Sequence, residues 1–141
     1  MEQLFYESIQ SLNPENKGWK IQRPPDSEEY FLANFNIQVG FDEEKLSAIW
    51  SNDPADFGFT WDELVAKNQE LLDYEPMRLL KVERDRLLAE TGWMSLPDSP
   101  EMTEDWKTYR QELRDLPSTQ SPSMDEGGVG IINVIWPTPP E

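Results

Sequence analysis

Whatever chemistry this chain performs must be done without histidine or cysteine, because its 141 residues contain neither. A serine or threonine nucleophile then has no imidazole base beside it, and no thiolate is available for attack or for holding a metal. The densest group of potential proton carriers is carboxylate: Asp42, Glu43 and Glu44, with Asp53 and Asp56 a short way downstream. Their spacing does not fit a calcium loop, which alternates oxygen ligands around a central glycine. Adjacent acids of this kind read as a solvated face. No catalytic residue, metal ligand or cofactor site is expected, and the chain is not read as an enzyme.

The remaining chemistry is contact. Arg84, Arg86, Arg110 and Arg114 are basic residues in an otherwise acidic sequence. They either pair with Glu83, Glu90, Glu112 and Asp115, at a few tenths of a kcal/mol each, or meet an anionic group on a partner, for which Arg110 and Arg114 are the candidates. Of the six tryptophans, Trp93 and Trp106 read as core. Trp50 and Trp61 flank a loop and can anchor either way, and Trp136 follows an apolar run with little around it. That run, Ile131, Ile132, Val134, Ile135 and Trp136, is the main candidate for partner binding. It is too short to form a sheet alone, so it pairs with an edge of this chain or of another. In the second case, deleting residues 131–141 leaves the helices folded and abolishes binding.

The elements that must position these residues fall into four stretches. Residues 1–59 read as irregular, with turns at Asn13–Pro14 and Pro24–Pro25. NKGWKIQ is a possible strand. Phe31, Ala33, Phe35, Ile37 and Val39 alternate with mostly polar neighbours, the period of a half-buried strand ended by Gly40. FDEEKLSAIW suggests a short helix capped by Asp42. Residues 60–117 read as helical. Thr60 and Glu63 form a capping box, Pro76 kinks one long helix or opens a second, and Gly92 supplies a C-cap. Trp93, Met94 and Leu96 fold back over the helix pair. Thr103 caps a further helix, which Pro117 closes. Residues 118–130 are a linker rich in Ser, Pro and Gly, and residues 131–141 are a C-terminal β-segment. The fold class is α+β and mainly α: an irregular arm with one or two short strands, a long helix, an αα-hairpin and a final strand.

The formal charge is −16 and the apolar content 37 %, below the ~45–50 % usual for globular chains. Residues 1–77 carry 5 basic against 16 acidic side chains. This excludes phosphate-backbone binding and docking on anionic membranes. It leaves one nucleic-acid-related role, a rigid acidic mimic of DNA that inhibits a host enzyme. No apolar window is long enough to span a membrane, and MEQLFYESIQSL has neither the basic start nor the apolar run of a secretory signal. Sixteen aromatics argue against disorder. The core is thin enough that part of the chain is expected to lean on a partner.

One stretch carries a resemblance. RDRLLAETGWMSLPDSPEMTEDWKTYRQELRDLP, with the later VIWPTPP, resembles the tail-assembly-chaperone-like domain of tailed bacteriophages and, in part, tail-fibre assembly proteins. The matching positions include Arg84, Leu87, Leu88, Thr91, Trp93, Leu96, Pro97, Asp98, Trp106, Tyr109, Arg110, Leu113, Arg114, Asp115, Pro117, Trp136 and Pro137. They lie within residues 78–117 and 131–140. Gly92 departs from the Asp of many members, and the insert before the last strand is long. The resemblance implies a small non-catalytic phage protein that binds a tail or tail-fibre subunit; a homo-oligomer within the tail is a separate expectation. Such a protein works in the host bacterial cytoplasm during assembly. A Ser/Pro/Gly linker and polar ends are rarely ordered in isolation, which favours an adaptor retained in the virion over a transient chaperone.

Overall fold

The computed structural model describes residues 2–141, with side chains from Leu4 onward, and shows an α+β chain of two compact units. One unit extends to Asp73 and the other begins at Tyr74.

The first unit opens with a helix that the sequence reading left as irregular, α1 (Glu2–Ser11). Phe5, Ile9 and Leu12 recur at helical spacing and turn one face to the core. After α1 the buried Asn13 holds the chain in a tight loop. Its amide donates to the Lys17 carbonyl at 2.7 Å, and its side-chain oxygen accepts the Lys17 N–H at 3.1 Å. Strand β1 (Trp19–Lys20) follows, as expected for NKGWKIQ.

Helix α2 (Glu28–Asn34) occupies the first half of the segment that alternation marks as strand. Two residues four apart, such as Phe31 and Phe35, satisfy both the strand and the helix period. The deciding signal lies upstream: the Ser27 hydroxyl accepts the Tyr30 N–H, and Glu28 and Glu29 fill the positive first turn. The chain becomes extended at Phe35 and continues as β2 (Asn36–Asp42), which pairs antiparallel with β1 and with β3 (Ser47–Ser51). FDEEKLSAIW is therefore a hairpin and not a helix. Asp42 still caps, but it caps a turn, accepting the N–H groups of Glu44 and Lys45 at 3.1 Å each. The sheet order is β1-β2-β3, with a register shift between Gln38 and Gly40.

Aromatic packing closes this unit. Phe31 and Phe35 stack with centroids 4.9 Å apart, and Phe57 meets both edge-on. Phe59 and Trp61 complete the contacts on Phe31. Such pairs contribute ~0.5–1.5 kcal/mol each beyond their buried area. Gly58 lies at φ +80°, a backbone conformation that lets Phe57 and Phe59 on either side of it both be buried.

The 30-residue helix α3 (Trp61–Glu90) begins at the capping box read from the sequence. Glu63 accepts the Thr60 N–H at 2.7 Å, and Thr60 accepts the Glu63 N–H at 3.2 Å. The helix runs through Pro76 without restarting. From Tyr74 onward it belongs to the second unit, with α4 (Glu104–Thr119), capped by Thr103 as expected. α4 does not stop at Pro117. In a last turn the missing proline N–H frees one carbonyl only, and the Gln120 N–H bonds to Leu116 O at 2.9 Å before the chain extends. Strands β4 (Ser123–Met124) and β5 (Ile131–Ile132) form an antiparallel pair, so part of the expected linker is paired backbone.

The α2 assignment is directly testable. In a strand Ala33 would share the buried face with Phe31; in α2 it is exposed. Ala33→Glu should leave the melting transition of the first unit nearly unchanged, whereas Phe31→Ala should lower its stability by about 3–5 kcal/mol in urea titrations.

Candidate functional site

The second unit holds all the residues singled out for partner contact. Its core is Leu80 from α3 and Tyr109, Leu113 and Leu116 from α4. Met77, Leu87, Leu88 and Trp106 surround them, and the C-terminal run contributes Ile131, Val134 and Trp136. Leu80, Leu87 and Leu88 lie along one face of α3; Trp106, Tyr109, Leu113 and Leu116 do the same on α4. Two amphipathic helices thus leave an apolar seam open, and the final residues cover it.

Three polar devices hold that cover. The Gln120 side-chain oxygen accepts the Ile135 N–H at 2.9 Å, fastening the run to the end of α4. Asn133 takes a left-handed φ of 63° and donates to the Ser123 hydroxyl at 3.3 Å. The turn between β4 and β5 is built on Asp125, whose carboxylate accepts the N–H groups of Val129 at 3.0 Å and Gly130 at 2.9 Å. A side chain at Gly130 would press to 2.8 Å from that carboxylate.

The apolar run is therefore divided. Ile131, Val134 and Trp136 are half-buried on the chain's own core; Ile132 and Ile135 are exposed, Ile135 at 80 %. Ile135 and Trp136 border an open cleft of about 340 Å³ with Leu116, Gln120 and Pro137. Deleting residues 131–141 would uncover one side of the helical core, because Ile131, Val134 and Trp136 pack against it.

The arginines divide as well. Arg86 pairs with Glu83 at 2.6 Å and with Glu90, as the helical spacing predicts. Arg84 meets its neighbour Asp85. Arg110 does neither of the things expected of it. It is 8 % exposed, donating to the Leu88 carbonyl at 3.0 Å and to the Thr91 hydroxyl, which itself donates to Leu88 O at 3.3 Å. Arg110 and Thr91 thus satisfy the Leu88 carbonyl near the C-terminal end of α3, where the sequence points to a Gly92 cap. Gly92 has no left-handed φ and instead begins a 3-10 turn, Gly92–Ser95. That turn leaves Trp93 and Leu96 more than half exposed, so they do not fold over the helix pair. The missed signal was Thr91, a hydroxyl at the end of a helix facing a second helix with arginine on its inner side. Arg114 is exposed, with a long contact to Gln111 at 3.5 Å, and lines a groove with Lys107, Met102 and Ser95.

No group of three acids able to hold a metal occurs among the described residues, and none of their helices is long and apolar enough to cross a membrane.

Two substitutions test this architecture. Arg110→Met should cost about 1.5–3 kcal/mol by loss of a charged donor to buried acceptors, measured by urea unfolding. Arg110→Lys should recover only part of that, because one ammonium cannot reproduce the planar fork. Asp125 has its carboxyl held below the ordinary range, first by the Val129 N–H and then by the Gly130 N–H. Its contribution is complete above the unfolded-state pKa and is lost as pH falls through the lower folded value. Protection factors of the β4–β5 amides, taken relative to the intrinsic exchange rate at each pH, should therefore fall on acidification, and Asp125→Asn should remove that pH dependence.

Residues 77–141 match the family model described as phage tail assembly chaperone protein. No curated protein and no solved structure matches the chain. The match begins just inside the unit that starts at Tyr74, and it takes in both stretches of the resemblance together with the β4–β5 turn between them. Residues 77–141, nearly the whole of the second unit, are thus similar to the phage tail assembly chaperone family, whose role is in phage tail assembly.

Proposed function

We propose that this chain is a non-catalytic bacteriophage tail protein that binds a tail or tail-fibre subunit through its second unit and stays in the virion as an adaptor. The observation that carries the reading is the division of the apolar run. Ile131, Val134 and Trp136 build the surface from within, while Ile132 and Ile135 remain outside it, Ile135 beside an open cleft. Apolar side chains on a backbone fixed by Gln120 and Asp125 form a preorganised contact, so little ordering entropy opposes binding. Arg114 adds a cation on the neighbouring helix, suited to a carboxylate on the partner. Assembly takes place in the host bacterial cytoplasm. The acidic surface opposes self-association of the free chain and steers it toward a basic subunit. Copies of the chain packed against one another within the tail fit the same role.

Ile135→Lys and Ile132→Lys should leave stability within about 0.5 kcal/mol and reduce co-purification with tail or fibre subunits at least tenfold. Trp136→Ala should instead destabilise the unit by about 2–3 kcal/mol. Unchanged co-purification in both lysine variants would move the contact elsewhere. Mass spectrometry of purified particles separates the two modes: presence in the virion supports the adaptor, and absence identifies a transient chaperone.

A further inference from the structure

The first unit carries an apolar surface that the family-matched residues do not include. β3 is an edge strand, paired on one side with β2 and on the other with no strand among the described residues. Its sequence, Ser-Ala-Ile-Trp-Ser, has no charge and no proline, the two commonest devices that blunt an exposed edge. Ile49 and Trp50 are exposed on it, and Phe41 is 53 % exposed on β2. Trp50 is held in place: the Lys20 ammonium sits 4.3 Å from the ring centre, and a Cβ at Gly18 would lie 3.6 Å from the ring. At the tip of the hairpin Leu46, 79 % exposed, takes a left-handed φ of 50°, where glycine or asparagine would sit without strain.

Charge selects the occupant. Asp42, Glu43 and Glu44 precede the edge, and Asp53 and Asp56 follow it; Lys45 is paired with Asp42 at 3.3 Å. A second copy of this chain laid along β3, in either direction, would set acidic end against acidic end. We propose that the β3 edge docks an extended segment of a different polypeptide, one with alternating apolar side chains and lysine or arginine at both ends. Main-chain hydrogen bonds to β3 extend the sheet by one strand. The apolar side chains, all on one face of the added strand, cover Ile49. The basic ends, separated by about 17 Å for five extended residues, meet the two acidic groups. This surface is independent of the reading given to residues 77–141, and either can fail without the other.

The test uses the full chain and three labelled peptides. The first has alternating valines flanked by two lysines at each end. The second carries glutamates in place of the lysines. The third keeps the lysines but has prolines that remove the strand hydrogen bonds. The first peptide should bind, and more weakly as salt is raised; the other two should bind at least tenfold more weakly. Ile49→Lys should reduce binding of the first peptide at least tenfold with an unchanged far-ultraviolet circular dichroism spectrum, and Val82→Lys in the second unit should not. Glu43→Lys with Glu44→Lys, confined to the turn, should weaken binding severalfold and flatten its salt dependence even if Ile49→Lys misfolds. No binding of the first peptide at millimolar concentration, or equal binding of the proline peptide, would overturn the proposal. Sedimentation of the unmodified chain as a dimer that Ile49→Lys dissociates would also overturn it, by assigning the edge to a second copy.

Discussion

Burial of Ile131, Val134 and Trp136 is the contact on which the second unit depends. Its two helices each offer a single apolar stripe, and two stripes facing each other leave their outer margins wet. A third surface has to close the seam, and this chain supplies it from an irregular segment with a short two-stranded ladder at its base. Because the closing surface is not a helix, its backbone groups are not satisfied automatically. This explains the density of polar fasteners around it: Gln120 on the Ile135 N–H, Asp125 on two turn amides, and Asn133 on Ser123.

The same accounting of backbone groups explains Arg110. A helix leaves its last carbonyls open, and burying that end requires donors. Glycine in the left-handed conformation is the usual local answer, and here it is absent. A guanidinium from the neighbouring helix takes its place, with Thr91 beside it. Locking one helix end to the flank of the other also sets how far the two can slide, so a stability device doubles as a register device.

Much of this was legible beforehand where the signal is local. The Thr60–Glu63 box, the Thr103 cap and the helical faces of α3 and α4 follow from a handful of adjacent residues, and the structure has them. The resemblance carried by RDRLLAETGW and WKTYRQELRD was equally local. What failed depends on long-range context or on degenerate spacing. Phe31 and Phe35 fit two periods at once, and only Ser27 distinguishes them. α1 is hard to read because its apolar stripe, Phe5, Ile9 and Leu12, is short. Asp42 was correctly read as a cap, but on the wrong object, since an Asx-type turn and a helix start share their first hydrogen bonds. Arg110 was out of reach, because nothing near it in sequence names the carbonyl it serves.

The order of these elements along the chain has a consequence for biosynthesis. The first unit is complete once residue 73 is free of the ribosome, and it can fold while the rest is being made. The second cannot, because α3 and α4 emerge well before the residues that cover their seam. Until the stretch from Gln120 to Trp136 has followed α4 out, the helix pair has nothing of its own to close its greasy groove. During that interval the newborn chain is itself a client in need of shelter, and its cover is a segment of its own making.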